Sequence, residues 1–399
     1  MESANHALVQ LIRDRIRNKG PVSFAWFMEQ ALYHPMHGYY SSGRAAIGRD
    51  GDYFTNVSVG PLFGKLLAAQ FAQIWEQLGN PDRFILVEQG AHNGEFAKDT
   101  LSTLRTGWPE LFQNLRYCIV EPFPVLKERQ SSTLSEFATK VNWAASLESL
   151  EPFVGVHFSN ELLDAMPVHL ISSPGRLSAA GQSGSQTWYE KFVGLEGDQF
   201  VFAQKPIIDR DLEAHLGRIS KRLPRMDGNE QANSGAHHTE VNLAALHWID
   251  QISAKLERGC VLTVDYGFAR PEFYAPERTT GTLQCRAQHR LTDSPLAEIG
   301  NCDISSHIEW TSIVERAEER GLLLAGFTDQ HHFLTGIIST WPQLLDPADA
   351  KSSRALQTLL HPEMLGRTFQ VLALAGGIES KLAGFKFARD PRTTLGLES

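Results

Sequence analysis

Four short apolar runs, each ending on an acid or an amide, constrain the fold of this 399-residue chain more than any other feature. They are Phe84-Ile-Leu-Val-Glu88, Leu115-Arg-Tyr-Cys-Ile-Val-Glu121, Val154-Gly-Val-His-Phe-Ser159 followed by Asn160, and Cys260-Val-Leu-Thr-Val-Asp265. Runs of this length and composition suit strands buried on both faces. Helical spacing follows the first from Glu95 to Leu104, and the second from Pro124 to Gln130, where Pro124 sits near the helix start. Such alternation specifies an α/β chain with a parallel, doubly wound sheet and helices on both faces. Leu322–Thr328 and Phe369–Ala375 read as two further strands, and Ile308–Arg320 as a helix.

Two regions depart from that rhythm. The N-terminal 80 residues carry an amphipathic helix with Leu8, Leu11, Ile12 and Ile16, then an aromatic stretch, then a helical stripe from Pro61 to Leu78. Residues 171–240 hold a Ser/Gly-rich segment, Ser172–Gln186, between strand-like Val168–Ile171 and Trp188–Val193, and a polar loop, Arg222–Thr239. The expected organisation is a helical substrate-cover region at 1–80, a core at 81–170 and 241–399, and an inserted hairpin and loop over the cleft at 171–240.

Composition excludes several classes. With 42% hydrophobic and 21% charged residues the chain is ordinary for a globular protein. A net charge of −9 argues against nucleic acid as a partner. No run reaches the about eighteen apolar residues of a membrane span. The first twenty residues lack the apolar core of a signal peptide and are too acidic for a transit peptide, so the start reads as mature protein. Cys118, Cys260, Cys285 and Cys302 form no CxxC pair, which speaks against zinc, and they fit a reducing cytoplasm. His34, His37, His331 and His332 match no standard metal spacing. GxSxG and P-loop patterns are absent.

Ligands of open α/β sheets bind beyond the carboxyl ends of the strands. Glu88, Gly90, Gly94, Glu121, Asn160, Glu161, Asp164 and Asp265 collect at that rim. Glu88-Gln-Gly-Ala-His-Asn-Gly94 is not the GxGxxG of a dinucleotide loop. Its glycines allow close approach of a ligand, and Glu88 before them suits a ligand with an ammonium group. Alone, the segment reads equally as a plain βα turn. Glu121 is placed to accept both hydroxyls of a ribose. Asn160-Glu161-x-x-Asp164 reads either as carboxylates for a cationic substrate group or as acids favoured at a helix N-terminus.

Together these motifs resemble the MidA-like (DUF185) methyltransferases. The resemblance is carried by Ala31-Leu-Tyr-His-Pro-Met-His-Gly-Tyr-Tyr40, Ile47–Thr55, Pro61-Leu-Phe-Gly64, Leu86–Gly90, Ser159-Asn-Glu-Leu-Leu-Asp-Ala-Met-Pro-Val168, Val264–Gly267, Gly281-Thr-Leu283 and Phe369–Leu374. It implies a class I, Rossmann-like methyltransferase fold closed by an antiparallel strand. It implies S-adenosyl-L-methionine as cofactor, bound by Glu88, Gly90, Gly94, Glu121 and Asn160. Asn160, Glu161 and Asp164 would be catalytic, and Asp265 and Tyr266 would border the same cleft. Mitochondrial members assist assembly of respiratory complex I and methylate an arginine of one of its subunits, so the implied partner is a protein substrate. The chain departs from the family pattern at His92, where a glycine is usual, and at Ser58, where an acid is usual.

Methyl transfer to a protein nitrogen, arginine above all, is thus the first expectation. Glu161 would orient the guanidinium and Asp164 would support it or help accept the proton. The altered loop motivates a second, an assembly factor that has lost strong catalysis. The third is a small-molecule methyltransferase. No sequence feature sets the oligomeric state.

Overall fold

The structure, a computed structural model, describes residues 5–43, 55–173, 188–219, 237–287, 290–292, 294–346, 348–378 and 381–397. The chain divides into two compact units. One comprises residues 1–46, 164–245 and 268–309, and the other 47–163, 246–267 and 310–399.

The larger unit contains the sheet that the apolar runs predict. Its strands are β1 (Phe84–Gln89), β2 (Leu115–Val120), β3 (Val141–Ala144), β4 (Phe153–Asn160), β5 (Leu256–Phe268), β6 (Leu323–Asp329) and β7 (Phe369–Gly376). Their order is β6-β7-β5-β4-β1-β2-β3. β3 to β5 run parallel through β2, β1 and β4. β7 lies antiparallel between β5 and β6. The winding reverses between β1 and β4, and that switch point opens a crevice at their carboxyl ends. The acid after β1's apolar core and the amide closing β4 therefore face one another because of topology.

Helices α1 (Leu62–Gln77), α2 (Glu95–Gly107) and α3 (Pro124–Thr133) follow the expected periodicity, and α4 (Leu243–Ser253) is a helix the sequence reading lacked. Along α1, Leu62, Phe63, Leu66, Leu67, Phe71 and Ile74 are buried in one cluster with Phe84 and Leu86 of β1 and Val156 and Phe158 of β4. Phe158 stacks on Phe96 at 4.3 Å and meets Phe71 edge-on at 5.7 Å. Each such ring contributes about 1.5–3 kcal/mol by leaving water.

The smaller unit is built differently. Val22–Ser23, Tyr189–Glu196, His169–Ser173 and His237–Val241 form an antiparallel sheet in that order, and Gln199–Pro206 adds to Tyr189–Glu196. Leu8, Ile12 and Ile16 of helix His6–Lys19 pack in one core with Phe24, Phe27 and Met28 of helix Phe24–Tyr33 and with Val168 and Val193. A three-stranded sheet, Gln284–Ala287, Arg290–Leu291 and Asp303–Ser305, completes it.

These boundaries differ from those drawn on the sequence. Residues 47–80 join the methyltransferase-like sheet, because the apolar face of α1 is buried there. Residues 268–309 join the smaller unit, and so does the aromatic N-terminal stretch. The insertion at 171–240 contains a strand that the sequence reading lacked, Gln199–Pro206, whose short apolar run Phe200-Val-Phe-Ala203 is exposed or half-buried. Most of the two predicted loops, residues 174–187 and 220–236, lies outside the described residues. The ends of both are strand: Ser172 and Ser173 pair with His238 and His237.

Candidate active site

A cavity of about 410 Å³ opens at the switch point, within the usual range for small-ligand sites. Glu88, Gly90, His92, Asn93 and Glu95 line it from the β1–α2 side. Phe158, Asn160 and Glu161 line it from β4, and Thr55, Val57 and Ser58 from the segment before α1.

The loop between β1 and α2 owes its shape to left-handed backbone. Gly90 has φ +82° and Gly94, the residue preceding α2, has φ +87°. A Cβ on Gly94 would approach Leu134 Cδ1 to 3.2 Å, so glycine is needed for space as well as conformation. His92 has φ +46°, so the residue standing where the family has glycine keeps a glycine-like backbone. No side chain caps the N-terminus of α2, which leaves first-turn N–H groups to a ligand or water. Asn93 Oδ1 is buried with no hydrogen-bond partner among the described residues.

Glu88 is buried, and the Tyr117 hydroxyl donates to its Oε2 at 2.7 Å. Burial pushes its carboxyl up to about 8, against the opposing pull of that hydrogen bond, and nearby Glu95 raises it further. Gln89 turns away from the cavity to accept from Trp248 Nε1 at 3.0 Å.

Glu121 is not among the residues lining the cavity. Its Oε1 accepts from the Phe123 N–H at 3.0 Å and its Oε2 from Gln130 Nε2 at 2.9 Å. Burial raises its pKa, and these two hydrogen bonds pull it back. Gln130 Nε2 also donates to the His92 carbonyl at 2.9 Å, and Gln130 Oε1 accepts from Trp143 Nε1 at 2.9 Å. A fully buried amide on α3 thus ties Glu121 to the β1–α2 loop. Nothing in the sequence pattern singled out Gln130 or Tyr117.

Asn160 closes β4, and Glu161 follows with φ +53°. Residues 161–168 form bends and turns, so the helix N-terminus reading of Asn160–Asp164 is set aside. The Glu161 N–H donates to Val264 O at 2.9 Å, which fixes the turn, and Asn160 Nδ2 donates to Glu161 Oε1 at 2.9 Å. Asn56 Nδ2 donates to Asn160 Oδ1 at 2.9 Å. Ser58, at the missing acid, shares a 2.8 Å hydroxyl contact with Thr55.

Asp265 does not border the cavity as expected. It is fully buried, its Oδ2 accepts from the N–H groups of Leu162 and Leu163, and its Oδ1 from that of Tyr266. Its carboxylate holds the chain's exit from β4 in place. Tyr266 is absent from the cavity lining and packs on Phe369 at 4.1 Å. Asp164 belongs to the smaller unit, where its carbonyl accepts from the Ser306 N–H. His34 and His37 stack at 5.2 Å, and His331 and His332 bond to Leu360 O and Asp329.

A family model described as an S-adenosyl-L-methionine-dependent methyltransferase matches residues 66–328. The chain belongs to this MidA-like family. The methyltransferase is also similar to a crystal structure from Burkholderia thailandensis, a COG1565 superfamily member bound to S-adenosyl-homocysteine. The TM-score is 0.83 at 31% identity, over 98% of this chain and 97% of that one. Among curated proteins it is 26% identical to the Drosophila melanogaster "Protein arginine methyltransferase NDUFAF7 homolog, mitochondrial", over 94% of this chain and 86% of the relative. It is 25% identical to the Homo sapiens "Protein arginine methyltransferase NDUFAF7, mitochondrial", over 98% and 88%. The fold expected from the resemblance is therefore correct, and the cofactor is S-adenosyl-L-methionine.

The cavity fits that cofactor. Left-handed Gly90 and Gly94 and uncapped α2 form a cradle, and Glu88 supplies an acceptor at its floor. One expectation is corrected. The cytoplasmic assignment is overturned by the curated relatives, which are named as mitochondrial proteins. Four free, buried cysteines report protection from oxidation, and that does not distinguish one compartment from another. Among the described residues, no helix is long and apolar enough to cross a membrane.

Proposed function

We propose that this methyltransferase modifies an arginine side-chain nitrogen of a protein substrate, with Glu161 orienting the guanidinium. The observation that carries the proposal is the Asn160–Glu161 pair. Glu161 is held in left-handed backbone at the cavity rim, and Asn160 Nδ2 steadies one of its oxygens at 2.9 Å. That places a fixed carboxylate at the cavity, and a carboxylate is the partner a planar guanidinium matches best. The names of the curated relatives as protein arginine methyltransferases support the same substrate class.

S-adenosyl-L-methionine supplies an electrophilic methyl group on sulfur. The chain's own residues supply alignment and exclude water. Glu88, Gly90 and Asn160, which line the cavity, would hold the donor, Glu88 serving its ammonium; Gly94 shapes the loop beside it, and Glu121, outside the lining, is assigned its ribose. Glu161 turns one guanidinium nitrogen towards the methyl carbon. The bound donor would supply the methyl carbon and take the sulfur away as leaving group, and the proton shed by the nitrogen would pass to Asp164 or to water. Asp164 keeps its proposed role as support or proton acceptor, tested separately by Asp164→Asn.

The deciding experiment uses Glu161→Gln. Tritiated methyl donor is supplied with a protein extract, and hydrolysed protein is assayed for methylarginine. The variant should lose about 100-fold or more of the transfer, while calorimetry shows S-adenosyl-homocysteine binding unchanged. Transfer at the wild-type rate removes Glu161 from the mechanism. Label in small molecules alone, with none in protein, replaces the proposal by the small-molecule reading.

A further inference from the structure

We propose that Asn56 is a positioning residue that sets the orientation of the Asn160 amide and through it keeps Glu161 an ionised acceptor. This rests on the reading of Glu161 given above. Asn56 is fully buried just before the short 3-10 turn Val57–Val59, and it does not line the cavity. Among the described residues it meets the site through Asn160: Asn56 Nδ2 donates to Asn160 Oδ1 at 2.9 Å, and Asn160 Nδ2 donates to Glu161 Oε1 at 2.9 Å.

The polarity of this chain is dictated from its carboxylate end. An ionised carboxylate only accepts hydrogen bonds, whereas an amide has one donating and one accepting side. Glu161 can therefore face only the nitrogen of Asn160, which leaves the Asn160 oxygen to face Asn56. That oxygen needs a donor, and Asn56 supplies it. Asn56 Oδ1 is itself buried without a partner among the described residues. Its side chain is thus spent entirely on the donor role, at the cost of an unsatisfied acceptor. Such a cost persists where the surroundings exploit it.

Without Asn56, among the described residues only the Glu161 carboxylate holds the Asn160 amide, and reversal becomes easier. The amide oxygen then opposes a Glu161 oxygen, a contact that favours the protonated acid. Glu161 would titrate at higher pH. Among the described residues, Glu88, His92 and Glu95 around the cavity and Asp265 beneath the turn are titratable groups near this region. All are retained in the variants, so their influence cancels in the comparison.

The test is a titration of the intact protein with carboxyl-13C-labelled glutamate by NMR, with Glu161→Gln identifying the Glu161 signal. Asn56→Ala should raise its midpoint by about half to one pH unit, the worth of one hydrogen bond. In an Asn160→Ala background the same change should have no effect, because the route from Asn56 to Glu161 runs through Asn160. If Asn56→Ala does not fold, Asn56→Ser, whose hydroxyl is too short to reach Asn160, is read in the same way. An unmoved midpoint overturns the proposal, and so does an equal shift in the Asn160→Ala background. Failure of the catalytic reading is distinct: it shows as methyl transfer surviving in Glu161→Gln.

Discussion

The Tyr117 hydroxyl and Glu88 Oε2 meet at 2.7 Å, both side chains buried, one strand apart at the foot of the cofactor cavity. Burial and Glu95 outweigh that hydrogen bond, so the carboxyl holds its proton up to about 8 in the fold, against 4.5 as a model acid. The folded protein thus binds more protons than the unfolded chain between those values. The contribution to stability is full below pH 4.5 and is lost as pH rises through about 8. Urea unfolding of the protein without cofactor should show wild type losing stability relative to Glu88→Gln across this window, by at most about 1.4 kcal/mol per pH unit. Parallel curves would mean that Glu88 is already charged.

His157 on β4 gives the opposite sign. Its ring is fully buried, meets Trp248 edge-on at 5.4 Å, and neither nitrogen has a hydrogen-bond partner among the described residues. Burial lowers its pKa to about 3 from 6.5. Its contribution is present above pH 6.5 and is lost as pH falls towards 3, as the unfolded chain takes the proton first. His157→Phe should therefore resist acid better than wild type between pH 6 and 4. Thermal unfolding across that range decides it, and equal acid sensitivity would exclude the ring as its source.

Gly94→Ala should cost about 1–2 kcal/mol, since an L residue is strained at φ +87° and its Cβ presses on Leu134. It should also weaken S-adenosyl-homocysteine in calorimetry. His92→Gly should leave that affinity close to wild type, because His92 already holds the glycine conformation. A gain of tenfold or more in His92→Gly would show that its side chain obstructs the cofactor.

Gln130→Met should be among the more damaging single changes in the site. It strands Glu121 Oε2, the His92 carbonyl and Trp143 Nε1, all of which bond to this one amide. Stranded buried groups cost about 1–3 kcal/mol each, so a loss of roughly 3 kcal/mol is expected. Affinity for S-adenosyl-homocysteine should fall with it, as the loop loses its tether. Intact affinity at reduced stability would separate the tether from the binding role.

Six of the seven strands were legible because they are apolar runs, four of them followed or closed by a polar residue visible in the sequence, whereas β3 (Val141–Ala144), short and interrupted by Asn142, was not. Nor was Gln199–Pro206, although it carries Phe200-Val-Phe-Ala203, because a four-residue apolar run outside the βα rhythm does not by itself distinguish strand from loop. The allocation of residues 268–309 also escaped, since short strands such as Arg290–Leu291 leave no periodic trace. At the site, the residues on strand ends could be named in advance, and Glu88, Gly90, Asn160 and Glu161 do line one cavity. Asp265 shows the limit of that rule. It was read as a rim residue, whereas its strand runs on to Phe268 and its oxygens are taken up by backbone N–H groups. Gln130 and Asn56 act through amides whose partners lie 9 to 104 residues away, a relationship no local pattern encodes.

The position of β7 bears on how the molecule is made. Phe369–Gly376 lies between β5 and β6, so the interior of the sheet waits for a segment synthesised near the end of the chain. Until residue 376 has left the ribosome, β5 and β6 each present an unpaired backbone edge, the kind that recruits foreign strands. A chain stopped short of Phe369 would thus keep every lining residue of the cavity and still present strand edges open to aggregation.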